Sequence, residues 1–219
     1  MIPGSASPLL LSSAGAYNLT KSLRFRGSAS AQLSKTFASA GNKKTWTWSA
    51  WIKRGKFPAS SIDKIFTAES PPTYDPDGFI AFGGSTYTDN LRFQSYVGGV
   101  NAAFVTTQVF RDPSAWYHII VAVDTTQATS TNRVKIYVNG SQVTAFTVAT
   151  YPSQNVDLAF NGAYDHILGS AGYNFDGYLA EVNFVNALQL TPSSFGETST
   201  TTGVWIPKKY TGTYGTNGF

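Results

Sequence analysis

The sequence predicts an all-β protein, a two-sheet antiparallel β-sandwich, and three observations carry that expectation. The first is residues 116–143, WYHIIVAVDTTQATSTNRVKIYVNGSQV, which read as two alternating strands, a polar turn and a tight hairpin. Tyr117, Ile119, Val121 and Val123 share one parity, and Trp116, His118, Ile120, Ala122 and Asp124 the other, so the first of these faces is continuously apolar. In the next strand Val134, Ile136 and Val138 stand opposite Lys135, Tyr137 and Asn139, and the unit reads as a sheet with one buried face. The second observation is Asn139-Gly140, which supplies the two positive-φ residues of a type I′ hairpin. The third is the recurrence of short strand-like runs punctuated by Gly, Pro, Asn and Asp, a rhythm that fits a sandwich or jelly roll far better than any helical scheme.

Taken in order, residues 1–20 hold Pro3, Pro8 and Gly15 without period-2 or period-3.6 order, and read as an N-terminal arm. Strands are expected at 22–27, 31–37, 45–54, 64–68, 78–84, 91–97 and 102–110, then in the two runs of the opening segment. Further strands are expected at 142–148, 156–160, 166–170 and 177–185. In TWTWSAWIKR, Trp46 and Trp48 share a face with Ala50 and Ile52, and Trp51 shares the other with Thr47 and Ser49, so at least one set belongs to the core. LTPSSFGE at 190–197 reads as one helical turn, with Thr191 at the N-cap and Pro192 at N1. Nothing resembling a linker divides residues 21–200, which are expected to form one domain. Residues 201–219, rich in Trp, Tyr, Thr and Gly, form a C-terminal docking or connecting segment.

Composition narrows the function classes. A chain of 219 residues buries roughly 70% of its unfolded surface and needs no disulfides, and with no cysteine it has none. It therefore suits folding in a reducing cytoplasm. Charged residues are only 13% and aromatic residues 15%, so the surface is made largely of Ser, Thr, Asn, Gln, Gly and Tyr, which suits glycan or protein contact. The net charge of +4 is scattered rather than gathered into a phosphate-clamping patch, which argues against nucleic acid. No run approaches the ~20 apolar residues of a membrane span.

In their order, SLRFRG, TWTWSAWIKRG, WYHIIVAVD, VKIYVNG, ILG and FDGYLAEVNFVNALQLTPSSF resemble the laminin-G-like, concanavalin A-like jelly-roll domains over about residues 21–200. More narrowly, RDPSAWYH, FGGSTYTDNLRF and TTGVWIPKKYTGTYGTNGF resemble domains of tailed-bacteriophage virion proteins, tail fibres or other structural proteins. The resemblance implies a sandwich of about a dozen strands that contacts carbohydrate or protein through its rim loops, sometimes with calcium. Family members frequently carry an acidic pair in the closing strand, where this chain has Ala180 before Glu181. Asp75, Asp77, Asp165, Asn174 and Asp176 are the other oxygen donors to weigh for calcium, against a plain turn-forming role beside Gly and Pro.

Related sandwiches include glucanases, but the E-x-D-x-x-E spacing of their acid and nucleophile is missing, and the chain reads as a non-enzyme. Neither His118 nor His166 sits in a metal or nucleophile signature, and His118 is expected to be a hydrogen-bonded structural residue. Tyr74, Tyr87, Tyr96, Tyr164 and Tyr173, large and half polar in loop-like positions, join those acidic and amide residues as the ligand-binding candidates.

Three functions remain: a tail-fibre or adhesin module that holds host-surface glycan or protein, a capsid decoration or connector protein that binds only other virion subunits, and a glycan hydrolase. The first is favoured because the 70–90 and 161–176 stretches are long and polar. The expected location is the virion, in a homo-oligomer such as a trimer.

Overall fold

The computed structural model describes residues 17–57, 61–84, 86–169 and 172–219. The expected arm therefore lies outside the described residues except for its last four, as does Ser170 of the expected 166–170 strand. Two large sheets face one another. The six-stranded sheet is built from β1 (Leu23–Phe25), β3 (Thr45–Arg54), β8 (Tyr117–Asp124), β9 (Val134–Val138), β10 (Ser141–Gln142) and β13 (Gly177–Asn186), in the order β1-β13-β3-β8-β9-β10. The seven-stranded sheet takes β2 (Leu33–Thr36), β4 (Ile62–Glu69), β5 (Asp77–Gly83), β6 (Asn90–Tyr96), β7 (Val100–Val109), β11 (Phe146–Thr150) and β12 (Asp165–Leu168), in the order β11-β7-β6-β5-β4-β12-β2. A small hairpin of β14 (Gly196–Thr198) and β15 (Trp205–Pro207) follows; the named strands pair antiparallel, and one isolated bridge, Lys64 to Asn174, is parallel.

The expected alternation builds the core. Trp46, Trp48, Ala50 and Ile52 of β3 and Ile119, Val121 and Val123 of β8 point inward against Phe66, Ile80, Phe82, Phe93 and Phe104 of the other sheet. Trp48 stacks on Phe66 at 5.8 Å between ring centroids and Trp46 meets Phe93 edge-on at 6.0 Å. Aromatic pairs of this kind add about 0.5–1.5 kcal/mol beyond the area they bury.

The outer face of the six-stranded sheet departs from the expectation of one buried face. Ile120, Ala122, Tyr137 and Val185 are buried there under Phe195 and Tyr210, with Leu190 and Tyr214 packed alongside. Trp51, Trp116 and Ala180 are covered by Leu19 and Trp205. The parity opposite the core face is itself mostly apolar, and the chain after β13 folds back to cover it. A bulge in β13 between Ala180 and Asn183 prepares the edge for this return. Beyond it, Phe184 and Phe219 exchange both backbone hydrogen bonds at 2.8 and 2.9 Å, and the Asn186 N–H donates to the Tyr214 carbonyl at 2.8 Å.

Three expected elements differ. The 142–148 run is split: Ser141–Gln142 closes the Asn-Gly hairpin in one sheet, and Phe146–Thr150 joins the edge of the other. Residues 156–160 form no strand; Leu158, Ala159 and Phe160 are fully buried, and Ala159 N–H bonds the Ser95 hydroxyl at 2.9 Å in place of a ladder partner. The expected turn at 190–197 is a 3-10 turn at Pro192–Ser194, and Thr191 makes no side-chain cap there.

Candidate functional site

The outer face of the seven-stranded sheet is the one that the returning chain leaves uncovered. Ile80, Phe82, Leu91 and Phe93 point into the core, so the alternate residues of β5 and β6 face outward. There, cations and aromatic rings interleave across three strands and two loops. The Lys64 Nζ lies 5.0 Å from the Tyr173 ring and 5.1 Å from that of Phe79, and the Arg92 guanidinium lies 5.4 Å from both Phe79 and Tyr87. The ladder Tyr173, Lys64, Phe79, Arg92, Tyr87 follows from register, since Lys64, Ala81 and Arg92 are cross-strand neighbours and Phe79 sits two residues along β5. Tyr173 is pinned by its carbonyl, which accepts the Lys64 N–H at 2.9 Å, while half of its surface stays exposed. Such contacts are worth about 0.5–2 kcal/mol as they lose water, and burial lowers the Arg92 pKa from its ordinary value.

One end of the ladder is acidic. Asp165, Glu69 and Asp77 stand side by side on β12, β4 and β5. Asp77 meets the Lys64 Nζ at 3.6 Å and Asp165 accepts from the Thr36 hydroxyl. Burial, with the charges of Asp77 and Asp165 adding to it against that of Lys64, raises the pKa of Glu69.

Beside Tyr173 lies a cavity of about 320 Å³ lined by Gly27, Lys56, Asp63, Asn174 and Asp176 among others. Its buried carboxylate, Asp63, faces Arg54 at 3.5 Å and Lys56 at 3.9 Å, yet burial outweighs both cations and pushes its pKa up to about 6. Arg54, itself fully buried, is held more tightly by Asp89 at 2.9 Å and by the Phe110 carbonyl at 2.7 Å. Asp176 accepts from Arg24 at 2.7 Å and from the Gly27 N–H at 3.1 Å, and the Asn174 amide donates to the Gly27 carbonyl at 3.0 Å. Asp63 Oδ1 and Asn174 Oδ1 are buried with no hydrogen-bond partner among the described residues, and Lys56 stands exposed beside them.

The model of the Concanavalin A-like lectin/glucanases superfamily matches residues 25–194. The chain belongs to this superfamily. Among solved structures, a Bacteroides ovatus protein described as carbohydrate binding is similar at 18% identity over 80% of this chain and 45% of that one, with a TM-score of 0.54. Tailspike protein 2 of Escherichia coli O157:H7 bacteriophage CAB120 is similar at 10% identity over 80% of this chain and 23% of that one, with a TM-score of 0.50. A Trypanosoma rangeli sialidase is similar at 12% identity over 81% of this chain and 27% of that one, with a TM-score of 0.51. The match thus spans less than half of each of those chains, and at these identities it speaks for the shared sandwich. No curated protein sequence matches the chain.

Within this concanavalin A-like sandwich the sequence-derived candidates separate into groups. Tyr87, Tyr173 and Asp77 converge on the ladder, and Asn174 and Asp176 on the neighbouring cavity. Tyr96 is exposed at the end of β6, cross-strand from Asp77. Asp165 joins the acidic row. The others have local duties. Tyr74 is exposed in the β4–β5 turn at φ +52°, and both Asp75 oxygens accept the Gly98 N–H, at 2.9 and 3.0 Å, latching that turn to the one between β6 and β7. Tyr164 gives its hydroxyl to the Ala159 carbonyl and stacks on His166 at 5.6 Å, so it is a structural residue.

Of the oxygen donors weighed for calcium, Asn174 and Asp176 share the lining of one cavity and the others stand apart from it. Asp75, Asp77 and Asp176 are engaged with Gly98, Lys64 and Arg24 respectively, and no group of three or more His, Asp or Glu placed to hold a metal ion occurs among the described residues. Lys56, Asp63, Lys64, Phe79 and Arg92 escaped the sequence reading. Lys64 and Phe79 lay inside runs read as strands, and only the register of β4, β5 and β6 brings them together.

Proposed function

We propose that the chain is a non-catalytic module of a phage virion, a tail-fibre or adhesin domain that contacts host-surface glycan through the outer face of its seven-stranded sheet. The Tyr173–Lys64–Phe79–Arg92–Tyr87 ladder supports this reading. Tyr173 and Tyr87, held rigid by the cations beside them, stack on the CH face of a pyranose without losing rotamer freedom, and Arg92 and Asp77 offer partners to its hydroxyls. The virion assignment draws on the resemblance of RDPSAWYH, FGGSTYTDNLRF and the C-terminal wording to phage structural proteins. A trimer fits a fibre, and solution mass checks it. The test of the function is a glycan array probed with the whole chain, with calcium present and then chelated. Binding to a defined set of glycans supports the proposal, and a flat array favours the decoration or connector role.

Hydrolysis is a second reading because of the acidic row. Cross-strand neighbours place their Cβ atoms about 4.5–5.5 Å apart, which suits a retaining pair of carboxyls about 5–5.5 Å apart. Glu69, held protonated to higher pH by burial, would be the acid. Against it, Lys64 engages Asp77 and Thr36 engages Asp165, which leaves neither carboxylate free to act as nucleophile. Release of reducing sugar from an array-positive glycan, abolished by Glu69→Gln, would establish this reading in place of simple binding.

A further inference from the structure

We infer that a second, separate glycan site lies on the opposite side of the sandwich, a bowl walled by Trp51, Trp116 and Trp205 that takes one neutral sugar residue. The bowl has a volume of about 370 Å³ and lies between the Asn139-Gly140 hairpin and the β14–β15 hairpin. It gathers three of the chain's five tryptophans. The other two, Trp46 and Trp48, are sealed in the core.

The walls are fixed by an aromatic stack. Trp51 lies on His118 at 4.9 Å with planes 12° apart, and His118 lies under Trp205 at 6.1 Å and 20°. The Trp205 indole N–H donates to His118 Nδ1 at 2.9 Å. Two glycines make room for this ring: a Cβ on Gly140 or on Gly196 would stand 2.6 or 2.4 Å from Trp205 atoms. Trp116 is backed from outside by Tyr178 at 6.5 Å.

The polar complement is uncommitted. Asn139 accepts the His118 backbone N–H through Oδ1 at 2.8 Å, which fixes the amide and leaves its NH2 without a partner among the described residues. The Ser141 and Thr198 hydroxyls also line the bowl and hold no hydrogen bond there among the described residues. The Trp51 indole N–H is buried and unpartnered. A fixed amide and two free hydroxyls match a ring of hydroxyls, and the aromatic lining matches its CH faces. No residue lining the bowl is charged, which selects a neutral sugar over a sialic or uronic acid. A proline-rich peptide would share the taste for tryptophan but needs an extended groove rather than a bowl closed between two hairpins.

The experiment is an NMR titration of the whole chain, following the five tryptophan indole N–H signals against methyl glycosides of glucose, galactose and N-acetylglucosamine and against a decaproline peptide. At least one glycoside is expected to shift Trp51, Trp116 and Trp205 while Trp46 and Trp48 stay in place. Thr198→Trp, which fills the bowl from an exposed position, is expected to abolish the shifts, with Ser141→Trp as the replacement should that variant not fold. Tyr173→Ala, on the opposite face, is expected to leave them intact. The inference is overturned if no glycoside moves the three signals, if filling the bowl leaves the shifts unchanged, if Tyr173→Ala removes them, or if decaproline alone produces them.

Discussion

His118 and His166 are held neutral by the groups that bond them. The Trp205 indole can only donate, so His118 Nδ1 is unprotonated and its Nε2–H donates to Ser49 at 2.8 Å. The Asn161 backbone N–H donates to His166 Nε2 at 2.9 Å, which places the proton on Nδ1, 2.9 Å from the Tyr164 carbonyl. Burial lowers the two pKa values to about 3 and about 4, from the ordinary 6.5. As pH falls below ~6.5 the unfolded chain takes up these protons and the folded chain does not, so this stability is present at neutral pH and lost toward pH 3–4. The melting temperature should drop steadily over that range, and a flat profile would contradict the assignment. Asp63 carries the opposite sign. With its pKa raised to about 6, the folded state keeps a proton that the unfolded state has released above ~4, and stability falls as pH rises through 6. Asp63→Asn should therefore gain on the native protein between pH 4 and pH 7 in thermal melts. Asp89→Asn should cost about 3–5 kcal/mol, because it strands a buried guanidinium whose closest carboxylate is 2.9 Å away.

At the scale of elements, hairpin and tail depend on each other. Asn139 and Gly140 have φ of 48° and 82°, the left-handed pair that the Asn-Gly sequence announced, and Gly140 also seats the Trp205 ring. Gly140→Ala should cost about 1–2 kcal/mol from the left-handed backbone alone and unseat Trp205, seen as a lower denaturation midpoint with a shifted Trp205 indole signal. Tyr210→Ala should cost about 3 kcal/mol by uncovering Ile120 and Val185; an unchanged midpoint would mean that the tail does not dock in solution. The strands that were legible, such as β8, are those in which one parity is continuously apolar, although in β8 the other parity is buried as well. Residues 142–148 misled because one apolar run serves two sheets, a crossing that local alternation does not mark. Residues 156–160 misled because buried apolar chain looks like a strand even where side chains satisfy its backbone. The site was legible only where it lies in loops: Tyr87 and Tyr173 stood out, while Lys64, Phe79 and Arg92 acquire meaning from a register that depends on which strands become neighbours.

For the whole molecule, the returning chain creates an asymmetry between two otherwise similar sheets. One outer face is sealed by Phe195, Tyr210 and Trp205 except for the tryptophan bowl, and the other keeps Tyr173, Tyr87 and Arg92 in reach of solvent over the buried Lys64 and Phe79. The proposed main recognition surface is thereby the seven-stranded sheet, and the far sheet is left with the tryptophan bowl alone. The most direct measurement is amide and side-chain chemical-shift mapping of the whole chain with an array-positive glycan. The account predicts perturbations centred on Lys64, Phe79, Tyr87, Arg92 and Tyr173; perturbations that leave these five residues untouched would contradict it.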